Sequence, residues 1–231
     1  VKASGLRGRG GAGFPTGIKW ETVFKAGGDQ KFVVCNADEG DSGTFADRML
    51  MEGDPFRMVE GMAICGVTVG ARYGYIYIRS EYPHAIAAME GAIAQSREAG
   101  WLGADVGSSG IAFDMEVRVG AGAYVCGEET ALLNSLEGKR GIVRAKPPLP
   151  ALQGLFGKPT VINNVLSLAT VPALFADGPE SYNAMGIGRS RGTMPVQLAG
   201  NIRYGGLYEV PFGITLGEPV SYTHLTLPTI C

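Results

Sequence analysis

Apolar and polar positions along the chain fall into short blocks, and those blocks predict a regular succession of strands and helices. Lys31-Phe32-Val33-Val34-Cys35 is too short a run for a helix and reads as a buried strand, closed by the polar turn Asn36-Ala37-Asp38-Glu39-Gly40-Asp41-Ser42-Gly43. Asp54-Pro55 supplies an N-cap and a first-turn proline, and Met58, Met62, Ile64 and Cys65 then recur as an inward stripe between Phe56 and Ala71. Gly74-Tyr75-Ile76-Tyr77-Ile78-Arg79 predicts a second strand. Pro83 opens a helix through Ala99, with Ile86, Met89 and Ile93 at helical spacing and Gly100 as its stop. From Phe113 to Val119, Phe113, Met115, Val117 and Val119 alternate with Asp114, Glu116 and Arg118, a third strand with one solvated face. Strand–helix–strand–helix–strand implies an α/β sandwich with parallel strands, whose ligands gather beyond the carboxyl ends of the strands. The turns after Cys35 and Val119 are therefore where chemistry is expected.

Composition changes this picture at one point. The 231 residues hold 36 glycines, about twice the usual share. Six of them lie in Gly5-Leu6-Arg7-Gly8-Arg9-Gly10-Gly11-Ala12-Gly13-Phe14-Pro15-Thr16-Gly17-Ile18-Lys19-Trp20, among two arginines, a lysine and two aromatics. Backbone this rich in glycine lets a ligand approach closely and lets successive N–H groups converge on an anion. Lys19 and the arginines add positive charge, and Phe14 and Trp20 flat faces. The stretch suggests a nucleotide cradle; an arginine–glycine RNA-binding segment and a flexible linker are its alternatives.

The remaining bulk features narrow the class. At 45% hydrophobic and 18% charged, the chain has the make-up of an ordinary soluble enzyme, and a net charge of −2 gives no basic field to recruit nucleic acid. No apolar run reaches the roughly twenty residues that span a bilayer, and no secretory signal opens the chain. Val1-Lys2 at the start, without a methionine, points to a start further upstream. Cys35, Cys65, Cys126 and Cys231 are scattered without a Cys-x-x-Cys pair, so neither a disulfide framework nor a metal clip is expected, and a reducing, cytoplasmic setting fits. His84 and His224 are the two histidines; His84 reads as a surface residue, which leaves histidine catalysis little to stand on.

The turn after the first strand carries Asp38, Glu39 and Asp41, either a solvated acidic loop or acceptors for sugar hydroxyls and ring N–H groups. The turn after the third is Gly120-Ala121-Gly122-Ala123-Tyr124-Val125-Cys126-Gly127-Glu128-Glu129-Thr130, with Glu128 and Glu129 at a helix start, where the dipole accommodates negative charge. Adjacent residues on a helix do not face each other, so the two glutamates make a poor glycosidase pair. Lys139, Arg140, Arg144 and Lys146 surround a proline-stiffened loop ending in Pro147-Pro148-Leu149-Pro150, a solvated loop or a lid over phosphates. Gly157-Lys158-Pro159-Thr160-Val161-Ile162-Asn163-Asn164-Val165 then leads into another helix, with both asparagines near its N-terminus.

Five stretches occur in a fixed order: Gly-Arg-Gly-Gly-Ala-Gly-Phe-Pro-Thr-Gly-x-Lys-Trp, Cys-Asn-Ala-Asp-Glu, Gly-Ala-Gly-Ala-Tyr-x-Cys-Gly-Glu-Glu-Thr-Ala-Leu, Lys-Pro-Pro-x-Pro-Ala and Pro-Thr-Val-Ile-Asn-Asn-Val. Together, over roughly residues 4 to 218, they resemble the flavoprotein subunit that carries FMN and NADH in respiratory complex I, NAD-reducing hydrogenases and NAD-dependent formate dehydrogenases. Asn-Ala-Asp-Glu-Gly-Asp-Ser-Gly-Thr-Phe, Met-Glu-Gly-Asp-Pro-Phe and Gly188-Arg189-Ser190-Arg191-Gly192-Thr193 look most like the beta subunit of molybdenum-containing formate dehydrogenase.

The resemblance implies FMN contacts from Gly8, Arg9, Gly10, Lys19, Asn36, Asp38, Tyr124, Gly127, Glu128, Val161, Ile162, Asn163 and Asn164. It implies NAD(H) contacts from Gly11, Phe14, Glu39, Asp41, Glu129 and Lys146, with hydride transfer carried by FMN and no catalytic nucleophile. Three positions depart from complex I members: Asp41 is one carbon shorter than their usual glutamate, and Thr22 and Leu149 replace aromatics that embrace adenine. The implied fold is a modified Rossmann-like α/β domain over residues 1–193, followed by the start of a ubiquitin-like β-grasp domain at 194–220. Pro195 to Ile202 and Gly206 to Val210 look like its first hairpin. The helical bundle with its 4Fe–4S cysteines is expected only in a missing C-terminal region, so no metal site is expected here. Residues 221–231 break the pattern and read as a non-native tail.

The expected function is flavin-dependent transfer between NAD(H) and an iron–sulfur chain, as the diaphorase subunit of formate dehydrogenase, turning formate and NAD⁺ into CO₂ and NADH. The equivalent subunit of complex I or of an NAD-reducing hydrogenase is the alternative, and a non-catalytic nucleotide- or RNA-binding module is the rival from another class. Expected partners are a thioredoxin-like 2Fe–2S subunit and a molybdenum-containing catalytic subunit, with no nucleic acid and no membrane span.

Overall fold

A computed structural model describes residues 1–41, 43–215 and 217–222. Ser42, His224, Cys231 and the expected tail beyond Tyr222 lie outside the described residues.

A four-stranded sheet forms from β1 (Phe32–Ala37), β2 (Tyr73–Ile78), β3 (Asp114–Val119) and β4 (Thr160–Asn164), ordered β3-β2-β1-β4 with every pair parallel. Helices α1 (Thr16–Lys25), α2 (Ala46–Gly53), α3 (Pro55–Val69), α4 (Pro83–Glu98) and α5 (Glu129–Leu136) punctuate these strands. Short helices α6 (Pro150–Gln153), α7 (Val165–Ala169), α8 (Val171–Ala176) and α9 (Pro179–Ala184) follow. Both sheet faces are covered, which is why β1 reads as continuously apolar. Val33, Cys35 and Ala37 join a core with Trp20 and Val23 of α1, Met58, Met62 and Cys65 of α3, and Met89 and Ile93 of α4. Phe32 and Val34 point the other way, to Leu132 and Leu133 of α5 and to Leu155.

Helix boundaries follow the expected signals. The Asp54 side chain accepts a hydrogen bond from Arg57 N, Pro55 sits in the first turn of α3, and Gly70 ends that helix in the left-handed region at φ 75°. Within α3, Met58, Met62 and Cys65 are buried, while Ile64 is only partly so.

The structure differs from the sequence reading at three places. The segment before α7 is a strand, β4, rather than a helix approach, and it pairs along β1 with Cys35 opposite Asn163 and Asn36 opposite Asn164. A helix not expected from the pattern, α2, precedes Asp54. In β3 the alternation holds for Met115 but fails at Val119, which is 52% exposed at the free end of an edge strand. Beyond α9 come two antiparallel pairs, β5 (Gly186–Ile187) with β6 (Ser190–Arg191) and β7 (Thr193–Leu198) with β8 (Gly206–Pro211), and then α10 (Gly217–Tyr222).

The packing of α3 against α7 leaves no room at Gly61, where a Cβ would run into the Leu168 carbonyl. Gly61→Ala is expected to destabilise the chain by about 1–3 kcal/mol in urea unfolding, because the obstacle is backbone and cannot rotate away. A loss below roughly 0.5 kcal/mol would contradict the stated packing.

Candidate functional site

Strand order reverses beside β1: the chain winds outward through β2 and β3, then crosses back to lay β4 on the other flank of β1. The crevice beyond the carboxyl ends of β1 and β4 is thus the topological switch point, where ligands of such sheets bind. Four segments reach it.

The first is the glycine stretch. Gly8 N donates to Phe14 O at 2.9 Å and Thr16 N to Leu6 O at 3.0 Å, so residues 8–14 form a pinned loop entering α1 rather than a linker. Gly11 and Gly13 have φ of 105° and 60°, values that favour glycine. The amides of Gly10, Gly11, Ala12 and Gly13 donate no hydrogen bond among the described residues. A Cβ on Gly10 would stand 3.2 Å from Cβ of Asn164, so the loop lies directly against the end of β4. Helix α1 is fixed to the same strand: Trp20 Nε1 donates to Asn163 Oδ1 at 2.9 Å and Lys19 Nζ to the Ile162 carbonyl at 2.7 Å.

The second segment follows β1. Asn36 Nδ2 donates to the Gly127 carbonyl at 2.8 Å, and its Oδ1 accepts from Asp38 N at 3.2 Å. Asp38 Oδ2 is buried with no hydrogen-bond partner among the described residues. Burial pushes the Asp38 carboxyl up to about 6, against the opposing pull of Arg79 and with a smaller push from Glu81. Glu39 turns inward instead. Its carboxylate accepts from Asp47 N at 3.1 Å, Arg48 N at 3.3 Å and the Tyr82 hydroxyl at 3.0 Å, capping α2 from a distance. Asp41 is exposed.

The third is the turn leading into α5. Glu128 is its N-cap, with Oε2 accepting from Thr130 N at 2.8 Å and Ala131 N at 3.0 Å. Burial pushes the Glu128 carboxyl up, but hydrogen bonds from Thr130, Ala131 and Lys146 outweigh it and hold it below its ordinary value. Tyr124 is 76% exposed, and its ring lies so close to Gly40 that a Cβ there would meet it at 2.8 Å.

The fourth is the loop before α6. Lys146 Nζ donates to Glu128 Oε1 at 3.0 Å and to Glu129 Oε1 at 2.7 Å, while Glu129 Oε2 lies 3.9 Å from Lys19 Nζ. Lys19, Glu129, Lys146 and Glu128 therefore form one alternating row of charge joining α1, α5 and this loop. Burial lowers the Lys146 amine, but the two glutamates more than reverse that and raise it. Burial lowers Lys19, opposed by Glu129 and reinforced by Lys146. Of the four cations expected as a phosphate lid, Lys139 and Arg144 are bound to Glu137 at 2.7 and 2.9 Å, so the basic cluster is largely structural.

Arg9 points elsewhere: its guanidinium donates to the Tyr182 hydroxyl and the Arg191 carbonyl. Phe14 is half-exposed, and Val161 and Ile162 are buried within β4. Sequence reasoning missed Ser167, whose hydroxyl accepts from Arg9 N at 2.9 Å, and Asp47, whose carboxylate accepts from Asn164 Nδ2 at 3.3 Å. The Asn164-x-x-Ser167 spacing of an N-cap was the available signal for the first. A cleft of about 690 Å³ lies beside Arg9 among Leu50, Leu166, Ala169, Tyr182 and Leu207. It lacks the uncommitted amides and the unpartnered carboxylate oxygen, so the switch-point crevice is the better candidate. No group of three or more His, Cys, Asp or Glu among the described residues is placed to hold a metal, and no described helix is long and apolar enough to cross a membrane.

Comparison with known proteins bears on this arrangement. The family model of the Nuo51 FMN-binding domain matches residues 1–173. An NADH-quinone oxidoreductase component of Rhizobium meliloti, its F 2 polypeptide, is 53% identical over 220 residues, covering 95% of this chain and 52% of that protein. The HndC component of the NADP-reducing hydrogenase of Solidesulfovibrio fructosivorans is likewise 53% identical over 220 residues, 95% of this chain and 45% of that protein. A solved NAD⁺-reducing NiFe-hydrogenase in the H₂-reduced state superposes with a TM-score of 0.89 at 40% identity, covering 96% of this chain and 38% of that one. The chain spans about half the length of these curated relatives.

The unpartnered Asp38 carboxylate has a measurable cost. Its raised value means the folded state holds a proton the unfolded state has lost between about 4 and 6, so Asp38 weakens the flavin-free fold increasingly as pH rises through that window. Asp38→Asn is expected to raise the melting temperature at pH 7, and the gain should vanish as pH falls towards 4. A gain independent of pH would contradict the assignment.

Proposed function

The chain belongs to the family of the Nuo51 FMN-binding domain, and on that premise we propose that it is the flavin-carrying part of an NAD(H) oxidoreductase subunit, passing electrons between a nicotinamide and an iron–sulfur chain. The observation that carries this reading is the buried, unpartnered Asp38 oxygen at the same crevice as a pinned loop with four uncommitted amides. A flavin mononucleotide matches both, with a phosphate for the amides and ring or ribityl hydrogens for the carboxylate. When bound, FMN would exchange electron pairs with nicotinamide and single electrons with an iron–sulfur centre.

The protein's own groups bind and orient. The amides of Gly10 to Gly13 and the Lys19 ammonium supply positive potential for the phosphate, while Gly8, Arg9 and Asn164 set the loop's position. Asn36, Asp38, Gly127 and Tyr124, with the carboxyl end of β4 at Asn163, make the remaining wall for the flavin, and the buried Val161 and Ile162 hold that end in place. Lys146 bridges Glu128 and Glu129 and fixes them, so that Glu129, with Gly11, Phe14 and Asp41, forms the nicotinamide side, while the Glu39 carboxylate stays committed to α2 and Tyr82. Covering both rings would exclude water and align the reacting carbon and nitrogen, which is the protein's share of the rate.

As to the parent complex, the quinone-oxidoreductase and hydrogenase relatives favour one of those two assemblies over the formate dehydrogenase expected from the sequence. The formate dehydrogenase reading rests on Gly188-Arg189-Ser190-Arg191-Gly192-Thr193, the Asp41 turn and the Met-Glu-Gly-Asp-Pro-Phe stretch alone. In either case the proposed electron acceptors or donors are iron–sulfur subunits, and residues 194–220 are proposed as the start of a β-grasp domain.

Purified chain mixed with FMN is expected to retain the flavin on desalting and to lose its visible absorbance on adding NADH; protein that stays colourless would contradict the reading. In Glu129→Gln and Lys146→Ala, the KM for NADH is expected to rise roughly tenfold or more with flavin still bound, since each loses a charged hydrogen bond. Loss of flavin from both variants would count against the division of the site.

A further inference from the structure

Arg9 is the residue of the glycine loop that the rest of the protein grips from both ends. Its amide donates to Ser167 Oγ at 2.9 Å, and its guanidinium donates to the Tyr182 hydroxyl at 2.5 Å, the Arg191 carbonyl at 2.7 Å and the Arg7 carbonyl at 3.1 Å. The same guanidinium stacks over Phe212 at 4.6 Å from the ring centre.

Neither anchor is loose. Ser167 is fully buried, and its hydroxyl, having accepted from Arg9, donates to Asn164 Oδ1 at 2.8 Å. Asn164 Oδ1 also accepts from Ser167 N at 3.0 Å, which orients the amide so that its NH₂ reaches Asp47 Oδ1 at 3.3 Å. A directed chain of hydrogen-bond donation thus runs from the loop through the cap of α7 to α2. Tyr182 is 7% exposed, and its ring rests on Gly192, where a Cβ would overlap it. Gly10, next along the loop, has its amide free and its Cα against Asn164.

We propose that Ser167 and Tyr182 are positioning residues for the cofactor loop, clamping Arg9 by backbone and side chain so that the amides of Gly10 to Gly13 are held ready for a phosphate. Arg9 is then the loop's pivot rather than a direct phosphate ligand. The clamp also ties the loop to the segment from Tyr182 to Phe212, so displacement of that segment loosens the phosphate site. The inference rests on the FMN reading for the identity of the ligand, but the clamp itself is readable in flavin-free protein.

The test uses the full chain with Ser167→Ala, Tyr182→Phe and the pair combined, each change removing a single hydroxyl. In flavin-free protein, hydrogen exchange at the amides of Gly8 and Arg9, which donate to Phe14 O and Ser167 Oγ, is expected to accelerate about threefold or more, while exchange in α3 stays at the parent rate. The FMN dissociation constant is expected to rise about three- to tenfold for each single variant, with turnover per bound flavin unchanged. Loop exchange and FMN affinity within twofold of the parent in the double variant would overturn the clamp, as would uniform acceleration that includes α3. A parent chain that takes up no FMN would instead count against the flavin reading, and the loop-exchange result would still decide the clamp.

Discussion

Two parallel strands that lie side by side but are reached by helices packed on opposite faces cannot both be covered at their carboxyl ends, and β1 and β4 are such a pair. The chain that leaves β1 runs into α2 and α3 on one face, while β4 is reached through α5 on the other. The opening between them is a consequence of chain routing, not of any one residue. Asn36 and Asp38 lie at one lip and Asn163 and Asn164 at the other because strands end where polar residues begin, and the glycine loop closes the third side because Trp20 and Lys19 fasten α1 to β4.

The polar groups around that opening divide into two kinds, and the division is what gives the site its meaning. Most are satisfied internally: Glu39 caps α2, Glu128 caps α5, Asn164 caps α7. Among the described residues a few are not, including the loop amides, Asp38 Oδ2, Thr16 Oγ1 and Arg79 Nε. A buried carboxylate oxygen without a partner costs stability that a folded chain ordinarily avoids. On the flavin reading proposed above, that partner arrives with the ligand.

The apolar framework was legible in the sequence, and the capping chemistry was hidden. β1, β2, α3 and α4 follow from runs and spacings that local physics dictates, and Asp54-Pro55 and Gly100 mark ends by local rules. β4 was missed because two of its five residues are asparagines, a residue type depleted from strands. α2 was missed because its own N-cap position is Phe45, in a left-handed conformation with no capping side chain, and the cap comes from Glu39, before the turn. Val119 broke the alternation because an edge strand has no helix over its last residue. The cap spacing marks Ser167 only as the partner of Asn164, and the longer-range partners of Ser167 and Asp47 are invisible to motif reading, since they lie 158 residues away in one case and 117 in the other. The charge row from Lys19 to Glu128 was legible as residues but not as a row, because its order depends on how three elements meet.

The central claim is that the ligand of this fold sits in the switch-point crevice. A hydrogen-exchange footprint of FMN on the full chain tests it most directly. Slowed exchange is expected at residues 9–13, 36–39, 127–130 and 162–165. Protection confined to residues lining the cleft beside Arg9, such as Leu166, Leu207 and Glu209, with the glycine loop unchanged, would contradict it.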